Sequence, residues 1–176
     1  MLDIEAEKKT AEFSSLSWNC EGLKNGIHAL AEVLSNECFS FISLSETQLY
    51  KSDILMISRW LEPQYKFFLN SDDLHDPTLP IIKNKSWGGT MFIWDSKYDP
   101  YIKIITPTSP CVTIAVVRIP GCQIAVHITL YLPTQGRDTD FISELAGLRN
   151  SIDEVLDTYP NSVVFLRGDA NVNPKN

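Results

Sequence analysis

The sequence lacks several features that define whole classes of protein. None of its apolar runs approaches the roughly 20 residues that cross a bilayer. Its first residues, MLDIEAEKKTAE, are charged where a signal peptide needs an apolar core. The four cysteines form no C-x-x-C pair and have no histidine at ligand spacing, which argues against a zinc site and a disulfide framework. We therefore expect an intracellular protein, nuclear or cytoplasmic, with no membrane segment and with reduced, mostly buried thiols.

A net positive charge is also missing. The formal charge of -7 and the isoelectric point near 4.9 deny the chain the basic footprint typical of nucleic-acid binding, so any contact with DNA or RNA has to be local. The length of 176 residues and the hydrophobic content of 44% suit one globular domain with a real core. We expect a polar N-terminal leader over residues 1–12 and a single domain over residues 13–176.

The first 70 residues alternate between strand-like and helical patterns. Two short β-type segments are each followed by an amphipathic helix, whose apolar residues recur every three to four positions. Ser52 is expected to cap the second helix, and Pro63 to end it. A third strand is predicted over residues 65–70. Residues 71–86 are rich in Asp, Pro and Ser and have no period, which predicts a long surface loop.

The remaining sequence changes character. Residues 88–131 predict an antiparallel block of four strands, the last two of which are joined by a turn at Pro120 and Gly121. A helix is expected to begin at Asp138 or the residue after it, and a buried strand follows at residues 162–166. Helix–strand pairs combined with a β-meander indicate a mixed-sheet α/β or α+β domain.

Polar side chains stand where four of the strand-like segments end: Asn19, Glu46, Tyr131, and Asp169 followed by Asn171. Two-residue periodicity predicts that Glu46 shares a face with Ile42 and Leu44, and that Asp169 and Asn171 share one with Val163 and Phe165. A carboxylate that continues an apolar face needs a cation or a donor. If the strand ends converge, their oxygens suit a hard Mg²⁺ ion and phosphate ester cleavage, for which no nucleophilic Ser or Cys is required.

Five ordered blocks carry a family resemblance: SWNCEGL, SLSET, WGGTMFIW, LYLPTQGRD and LRGDANVNP. Their order resembles that of the endonuclease/exonuclease/phosphatase superfamily over about residues 13–174. They are most similar to the apurinic-type endonuclease domains of non-LTR retrotransposon polyproteins. The resemblance implies a DNase I-like, four-layer α/β/β/α sandwich of two mixed, largely antiparallel sheets. It also implies Mg²⁺ as the cofactor, with Mn²⁺ as a possible substitute, and the phosphate backbone of DNA as the partner.

The resemblance also implies a role for each motif residue. Glu46 would be the principal metal ligand, and Asn19 would help to place the metal or its water. Tyr131 would contact the scissile phosphate. Asp169 would orient or deprotonate the attacking water, while Asn171 would stabilise the developing negative charge.

The sequence departs from the family pattern at its end. Such domains close with strands that carry a Ser-Asp-His signature, whereas this chain ends at Asn176 directly after LRGDANVNP. We therefore expect a domain incomplete at its C-terminus, whose activity as an isolated chain falls by about 10²- to 10⁴-fold, the usual worth of one general base or oriented partner. The alternatives are a catalytically inactive remnant, or a phosphatase or phosphodiesterase acting on inositol phosphates or lipids.

The histidines, the paired glycines and the basic residues near the motifs are not expected to take part in catalysis. The histidines are expected to be surface or interior residues rather than replacements for the missing one: His28, His75 and His127. Gly88 and Gly89 are expected to permit a tight entry into a strand, since no phosphate-loop motif follows them. Basic side chains flanking the motifs are candidates for contact with a nucleic-acid backbone, Arg137 first among them: Lys83, Lys85, Arg137 and Arg167.

Overall fold

The protein is described by a computed structural model that covers residues 12–61, 63–71, 88–105, 109, 111–132 and 138–171. Two four-stranded sheets face each other in this part of the chain, with strand orders β1-β2-β4-β3 and β5-β6-β7-β8. The strands of the first sheet are β1 Ser15–Asn19, β2 Phe41–Ser45, β3 Tyr65–Asn70 and β4 Thr90–Asp95. Those of the second are β5 Ile102–Ile105, β6 Val112–Val117, β7 Ala125–Tyr131 and β8 Val163–Asp169. The helices are α1 Leu23–Asn36, α2 Ile54–Leu61 and α3 Asp138–Thr158.

Both sheets are mixed. In the first, β1 runs parallel to β2, and β4 runs antiparallel to β2 and β3. In the second, β5, β6 and β7 form an antiparallel meander and β8 runs parallel to β7. The register places Asn19 beside Ser45 in one sheet and Tyr131 beside Asp169 in the other. The two parallel pairs therefore each present the carboxyl ends of their strands together.

The helices cover the outer faces of the two sheets. The apolar stripe of α1, including Leu23 and Ile27, packs with α2 against Ile42 on the first sheet. On the second sheet, α3 places Leu148 and Val155 in the cluster that includes β6 and β7. A third cluster, rich in aromatic residues, lies between the sheets: Phe41, Phe92, Trp94, Ala115 and Val117. The predicted order of layers, α/β/β/α, is confirmed.

The space between the sheets becomes polar toward the carboxyl ends of β1 and β2. Thr90 lies on β4 two residues before Phe92, and Thr113 lies on β6 two residues before Ala115. Their hydroxyls share a hydrogen bond of 2.8 Å that joins the two sheets. Ser43 is also fully buried, and its hydroxyl has no partner within the described residues. Such groups are costly in an interior. Their concentration here marks one end of the sandwich as different from the apolar rest.

The strand at residues 162–166 was expected to be buried, and this is wrong. The apolar run of β8 is exposed on both faces, with 39% of Val163 and 56% of Leu166 accessible to solvent. Within the described part of the chain β8 pairs only with β7, so it is an edge strand. A continuous apolar run is typical of strands buried on both faces, and sequence alone does not show which strand lies at an edge.

Three further expectations need correction. The block at residues 88–131 is divided, because β4 joins the first sheet while β5 to β7 form the second. The turn before α2 is closed by the Asp53 carboxylate, which accepts from the Tyr50 amide at 3.0 Å, so Ser52 is not the cap. All four cysteines are free, but Cys20 alone is buried, and burial raises the pKa of its thiol to about 12.

Some predictions fall on parts of the chain that the structure does not describe. These parts include the first eleven residues of the expected leader and nearly all of the expected loop. Three candidate residues of that loop lie outside the described residues: His75, Lys83 and Lys85. Arg137 also lies outside the described residues. Among the helices that are described, none combines the length and apolar character needed to cross a membrane.

Candidate active site

The five predicted site residues come from strand ends at the polar end of the sandwich. Asn19 ends β1, Tyr131 ends β7, and Asp169 ends β8. The Nδ2 of Asn19 donates to Oδ2 of Asp169 at 3.0 Å, although the two residues are 150 positions apart in sequence. This hydrogen bond connects the two sheets directly. The predicted convergence of strand ends therefore occurs for this pair.

Asp169 is fixed through both of its carboxylate oxygens. Oδ1 accepts from the backbone amide of Asn171 at 2.8 Å, while Oδ2 holds Asn19. The carboxamide Nδ2 of Asn171 donates in turn to the Leu132 carbonyl at 2.7 Å, and the Leu132 amide donates to the Asp169 carbonyl at 2.9 Å. The end of β8 is thus tied to the end of β7 on both sides of Asp169, which orients this carboxylate before any substrate binds.

Tyr131 lies close enough to the acidic groups to be affected by them. Burial raises the pKa of its phenol above the ordinary value, and the charges of Glu46 and Asp169 raise it further, against a lowering by its hydrogen bond with Asn171. The phenol therefore keeps its proton at neutral pH and acts as a hydrogen-bond donor. Gly88 is packed beneath it, since a Cβ at that position would lie 2.9 Å from Tyr131 Cδ1.

Glu46 follows β2 with a left-handed backbone, φ 55°, and its carbonyl accepts from the Gly22 amide at 2.9 Å. Ile42 and Leu44 pack toward the helices, and the left-handed backbone at Glu46 interrupts the two-residue alternation on which the predicted face-sharing depends. The charge of Glu46 raises the pKa of the Tyr131 phenol and also contributes to the raised pKa of the Cys20 thiol. A hydrogen bond of 3.2 Å joins Gln48 Nε2 to Glu46 Oε1.

Backbone strain is concentrated around these residues. Within the described ranges, the residues other than glycine that have positive φ number four: Glu21, Glu46, Gln48 and Asn171. Two of them are predicted site residues, and the other two lie within two positions of Asn19 or Glu46. Left-handed backbone costs about 1–3 kcal/mol at a residue with a side chain, and such strain clusters at functional sites. This distribution supports the location of the site independently of the motifs.

The donor set suits a hard cation that keeps part of its water shell. In the part of the chain that the structure describes, no group of three or more His, Cys, Asp or Glu side chains is placed to enclose a metal. Mg²⁺ does not require one, because it usually binds through one or two carboxylates, waters and substrate phosphates. Glu46 Oε2 accepts no hydrogen bond from any described residue, and the Asn19 Oδ1 accepts only the 3.3 Å bond from the Glu21 amide. These oxygens fit Mg²⁺ or Mn²⁺.

Two other candidates lie deeper between the sheets. Arg167 donates through Nη2 to the Ser15 hydroxyl at 2.8 Å and stacks over Phe165, so it bridges β8 and β1 instead of extending toward a nucleic-acid backbone. His127 is an interior residue, as expected, but its Nδ1 has no hydrogen-bond partner among the described residues. His28 is exposed and contacts the edge of Trp60. None of the three joins the five site residues.

Sequence reasoning missed two residues that shape the site. Gln48 is one, and its only signal is its position two residues after Glu46. Gly168 is the other: its φ is 122°, and a Cβ there would overlap the backbone of Leu130. A glycine directly before Asp169 therefore lets β8 approach β7 closely where the site residues emerge.

Comparisons with solved structures agree with this architecture. The catalytic domain of Xenopus laevis APE2 superimposes with a TM-score of 0.66 and 16% identity over 89% of this chain and 58% of that one. Truncated Caenorhabditis elegans TDP2 superimposes with a TM-score of 0.61 and 16% identity, over 93% of this chain and 64% of that one. The Neisseria 3′ phosphatase NExo, solved with a product DNA hairpin, superimposes with a TM-score of 0.61 and 12% identity, over 93% of this chain and 59% of that one. The chain has the DNase I-like fold.

The likeness is one of structure. No protein-family model and no curated protein matches the chain by sequence. The chain spans between 58% and 64% of the length of these three neighbours. By name, the neighbours are AP endonucleases, TDP2 proteins and exonuclease or phosphatase proteins. At identities of 12–16% they establish the fold, and the chemistry has to be argued from the site.

Proposed function

We propose that this site hydrolyses phosphodiester bonds with the help of Mg²⁺, for which Mn²⁺ can substitute, and that its substrate is DNA. The observation that carries the proposal is the hydrogen bond between Asn19 and Asp169, which joins polar strand ends of two different sheets. The order of the five sequence blocks supports a DNA-nicking endonuclease of the non-LTR retrotransposon type. The fold shared with a phosphatase solved on DNA is consistent with a nucleic-acid substrate.

Metal binding is assigned to Glu46 and Asn19. The carboxylate of Glu46 provides the main ligand, and the carboxamide oxygen of Asn19 holds the ion or one of its waters. When bound, the ion neutralises charge on the phosphate and polarises it toward attack. A net charge of -7 makes such local neutralisation necessary, since the protein as a whole repels a polyanion.

Asp169 is assigned to orient or deprotonate the attacking water. Its two hydrogen bonds, from Asn19 and from the Asn171 amide, fix the plane of the carboxylate. A carboxylate offers about four acceptor positions, so two remain for a water molecule. General-base catalysis of this kind contributes about 10²- to 10⁴-fold to a rate.

Tyr131 and Asn171 are assigned to the phosphate. The raised pKa of Tyr131 keeps its hydroxyl protonated, so that it donates to a non-bridging oxygen. Asn171 donates from its Nδ2 to the Leu132 carbonyl, and its hydrogen bond with Tyr131 holds the carboxamide beside the phenol, so that the two side chains together face the negative charge that develops during attack. Both side chains are held in place before substrate arrives, which is what electrostatic stabilisation requires.

Nicking of supercoiled plasmid in the presence of Mg²⁺ tests the proposal. Glu46→Gln and Asp169→Asn preserve shape while removing charge, and each should lower the nicking rate by about 10²-fold or more. Glu32→Gln, the same chemical change on the exposed face of α1, is the matched control and should nick like the wild type. A wild-type rate equal to that of the two site variants would contradict the assignment.

Parallel substrates separate the alternatives. Release of phosphate from a 3′-phosphorylated oligonucleotide or from an inositol phosphate, without plasmid nicking, would replace the endonuclease assignment with a phosphatase of the same fold. Saturable metal binding without turnover of any substrate would identify a catalytically inactive remnant.

A further inference from the structure

The side chain of Gln48 lies against the carboxylate that is assigned to the metal. We infer that Gln48 is a positioning residue that holds Glu46 ready for the cation, an inference that rests on the proposed function. Gln48 Nε2 donates to Glu46 Oε1 at 3.2 Å, and both side chains are partly buried. The amide nitrogen has to face Glu46, because the amide oxygen would repel a carboxylate.

The loop that carries both residues is held from two sides. On one side, the Gly22 amide donates to the Glu46 carbonyl and the Leu23 amide to the Thr47 carbonyl, each at 2.9 Å. On the other side, the Gln48 amide donates to the Gly88 carbonyl at 2.9 Å. The backbone of this loop is thus fixed by the turn after β1 and by the entry to β4, without any contribution from the Gln48 side chain.

The carboxamide of Gln48 is itself confined. Its oxygen lies over Gly22, where a Cβ would come within 3.1 Å of Oε1. Gly22 has a φ of 100° and no side chain, so it provides the space that the carboxamide occupies. The amide is therefore packed between Gly22 and Glu46, and its orientation is set by contacts on both sides.

The backbone of Gln48 gives a second reason to assign its side chain a role. Its φ is 50°, a left-handed conformation that glycine adopts at no steric cost and glutamine does not. Since the backbone hydrogen bonds of the loop need no particular side chain, glycine would serve the fold here. The strained glutamine indicates that the carboxamide is used.

The consequence concerns how Glu46 meets a cation. One carboxylate oxygen, Oε1, is held by Gln48, while Oε2 is without a partner in the described part of the chain. A carboxylate restrained in this way loses less conformational freedom when it binds a metal. Residues that hold metal ligands by hydrogen bonds commonly change metal affinity or activity by about 10- to 100-fold when removed.

Direct measurement of Mn²⁺ binding by electron paramagnetic resonance, without substrate, tests the inference. Gln48→Met keeps the length of the side chain and removes the donor, and it should raise the Mn²⁺ dissociation constant about tenfold. Gln64→Met is the matched control, on an exposed turn before β3, and its affinity should equal that of the wild type. Thermal unfolding without metal checks that both variants fold.

Gln48→Gly separates positioning from a structural role. It relieves the left-handed strain, so the melting temperature without metal should stay equal or rise, while Mn²⁺ affinity falls about tenfold as in Gln48→Met. A purely structural glutamine would move stability and affinity down together. The inference is overturned if both Gln48 variants bind Mn²⁺ within twofold of the wild type.

The same titration distinguishes failure of this inference from failure of the proposed function. If the wild type and the Gln48 variants bind Mn²⁺ equally well and Glu46→Gln does not bind it, only the role of Gln48 is overturned. Absence of saturable binding in the wild type itself overturns the proposed function and the positioning role together.

Discussion

Replacement of His127 by phenylalanine should make the protein resist acid better than the wild type does. The imidazole is 3% exposed and packs against the rings of Phe41, Phe92 and Phe165. Burial lowers its pKa to about 3, and the nearby charge of Arg167 contributes to the same shift. The folded protein therefore holds this histidine neutral in a setting already built for an aromatic ring.

The direction of the pH effect follows from proton linkage. The unfolded chain takes up a proton on this histidine below the ordinary imidazole pKa of 6.5, whereas the folded chain does so only near 3. Above pH 6.5 this histidine therefore has no effect on the free energy of unfolding. Below pH 6.5 it lowers that free energy progressively, and the decrease ends near pH 3. At pH 5 the unfolded state lies 1.5 units below its pKa, which at 1.36 kcal/mol per unit costs about 2 kcal/mol.

Urea unfolding at pH 7.5, 6 and 5 measures this contribution. The wild type should lose about 2 kcal/mol more than His127→Phe between pH 7.5 and pH 5. His28→Phe, on the exposed side of α1, controls for the loss of one histidine from the chain. The reasoning would be refuted if wild type and His127→Phe showed the same dependence of unfolding free energy on pH.

Three more predictions concern the site. Gly168→Ala should lower the free energy of unfolding by about 2 kcal/mol or more, because Gly168 has a φ of 122° and a Cβ there overlaps the Leu130 backbone. Thermal melts measure this change, and an unchanged melting temperature argues against it. Tyr131→Phe should slow plasmid nicking about 10²-fold at neutral pH. Because the pKa of the wild-type phenol is raised, the wild type should keep this donor as the pH increases from neutral into the mildly alkaline range. Gly88→Ala should slow nicking, since its Cβ displaces the Tyr131 ring, and should also lower the free energy of unfolding because Gly88 has a φ of 69°. A nicking rate equal to that of the wild type would count against the contact with Tyr131.

The motifs and the helical stripes predicted much of this fold. The apolar period of α1 and the capping signals around α3 are local, so the residues themselves define those elements. Asn19, Tyr131 and Asp169 were placed correctly at strand ends, because a strand that turns polar at its last residue shows this in its own sequence. That Asn19 and Asp169 form a direct contact across 150 positions depends on the pairing of two separate sheets.

What the sequence did not reveal depends on long-range pairing or on backbone angle. The run of four apolar residues in β8 predicts burial in any sheet, and its edge position follows only from which strands pair. Strand periodicity extended the alternation of Ile42 and Leu44 to Glu46, since no sequence rule indicates a φ of 55° at a glutamate. Gln48 has no motif, and its contact with Glu46 depends on a segment in which both residues have a left-handed backbone.

The central claim is that these strand ends form one divalent-metal site, and paramagnetic broadening of side-chain amide signals by Mn²⁺ tests it most directly. Substoichiometric Mn²⁺ should broaden the NH₂ resonances of Asn19, Gln48 and Asn171, and Glu46→Gln should abolish the effect. Gln123 provides the internal reference, because it precedes β7, whose length from Ala125 to Tyr131 is about 20 Å, and so lies at the far end of that strand from the site. Broadening of Gln123 equal to that of Asn19, or no broadening of either, would contradict the assignment.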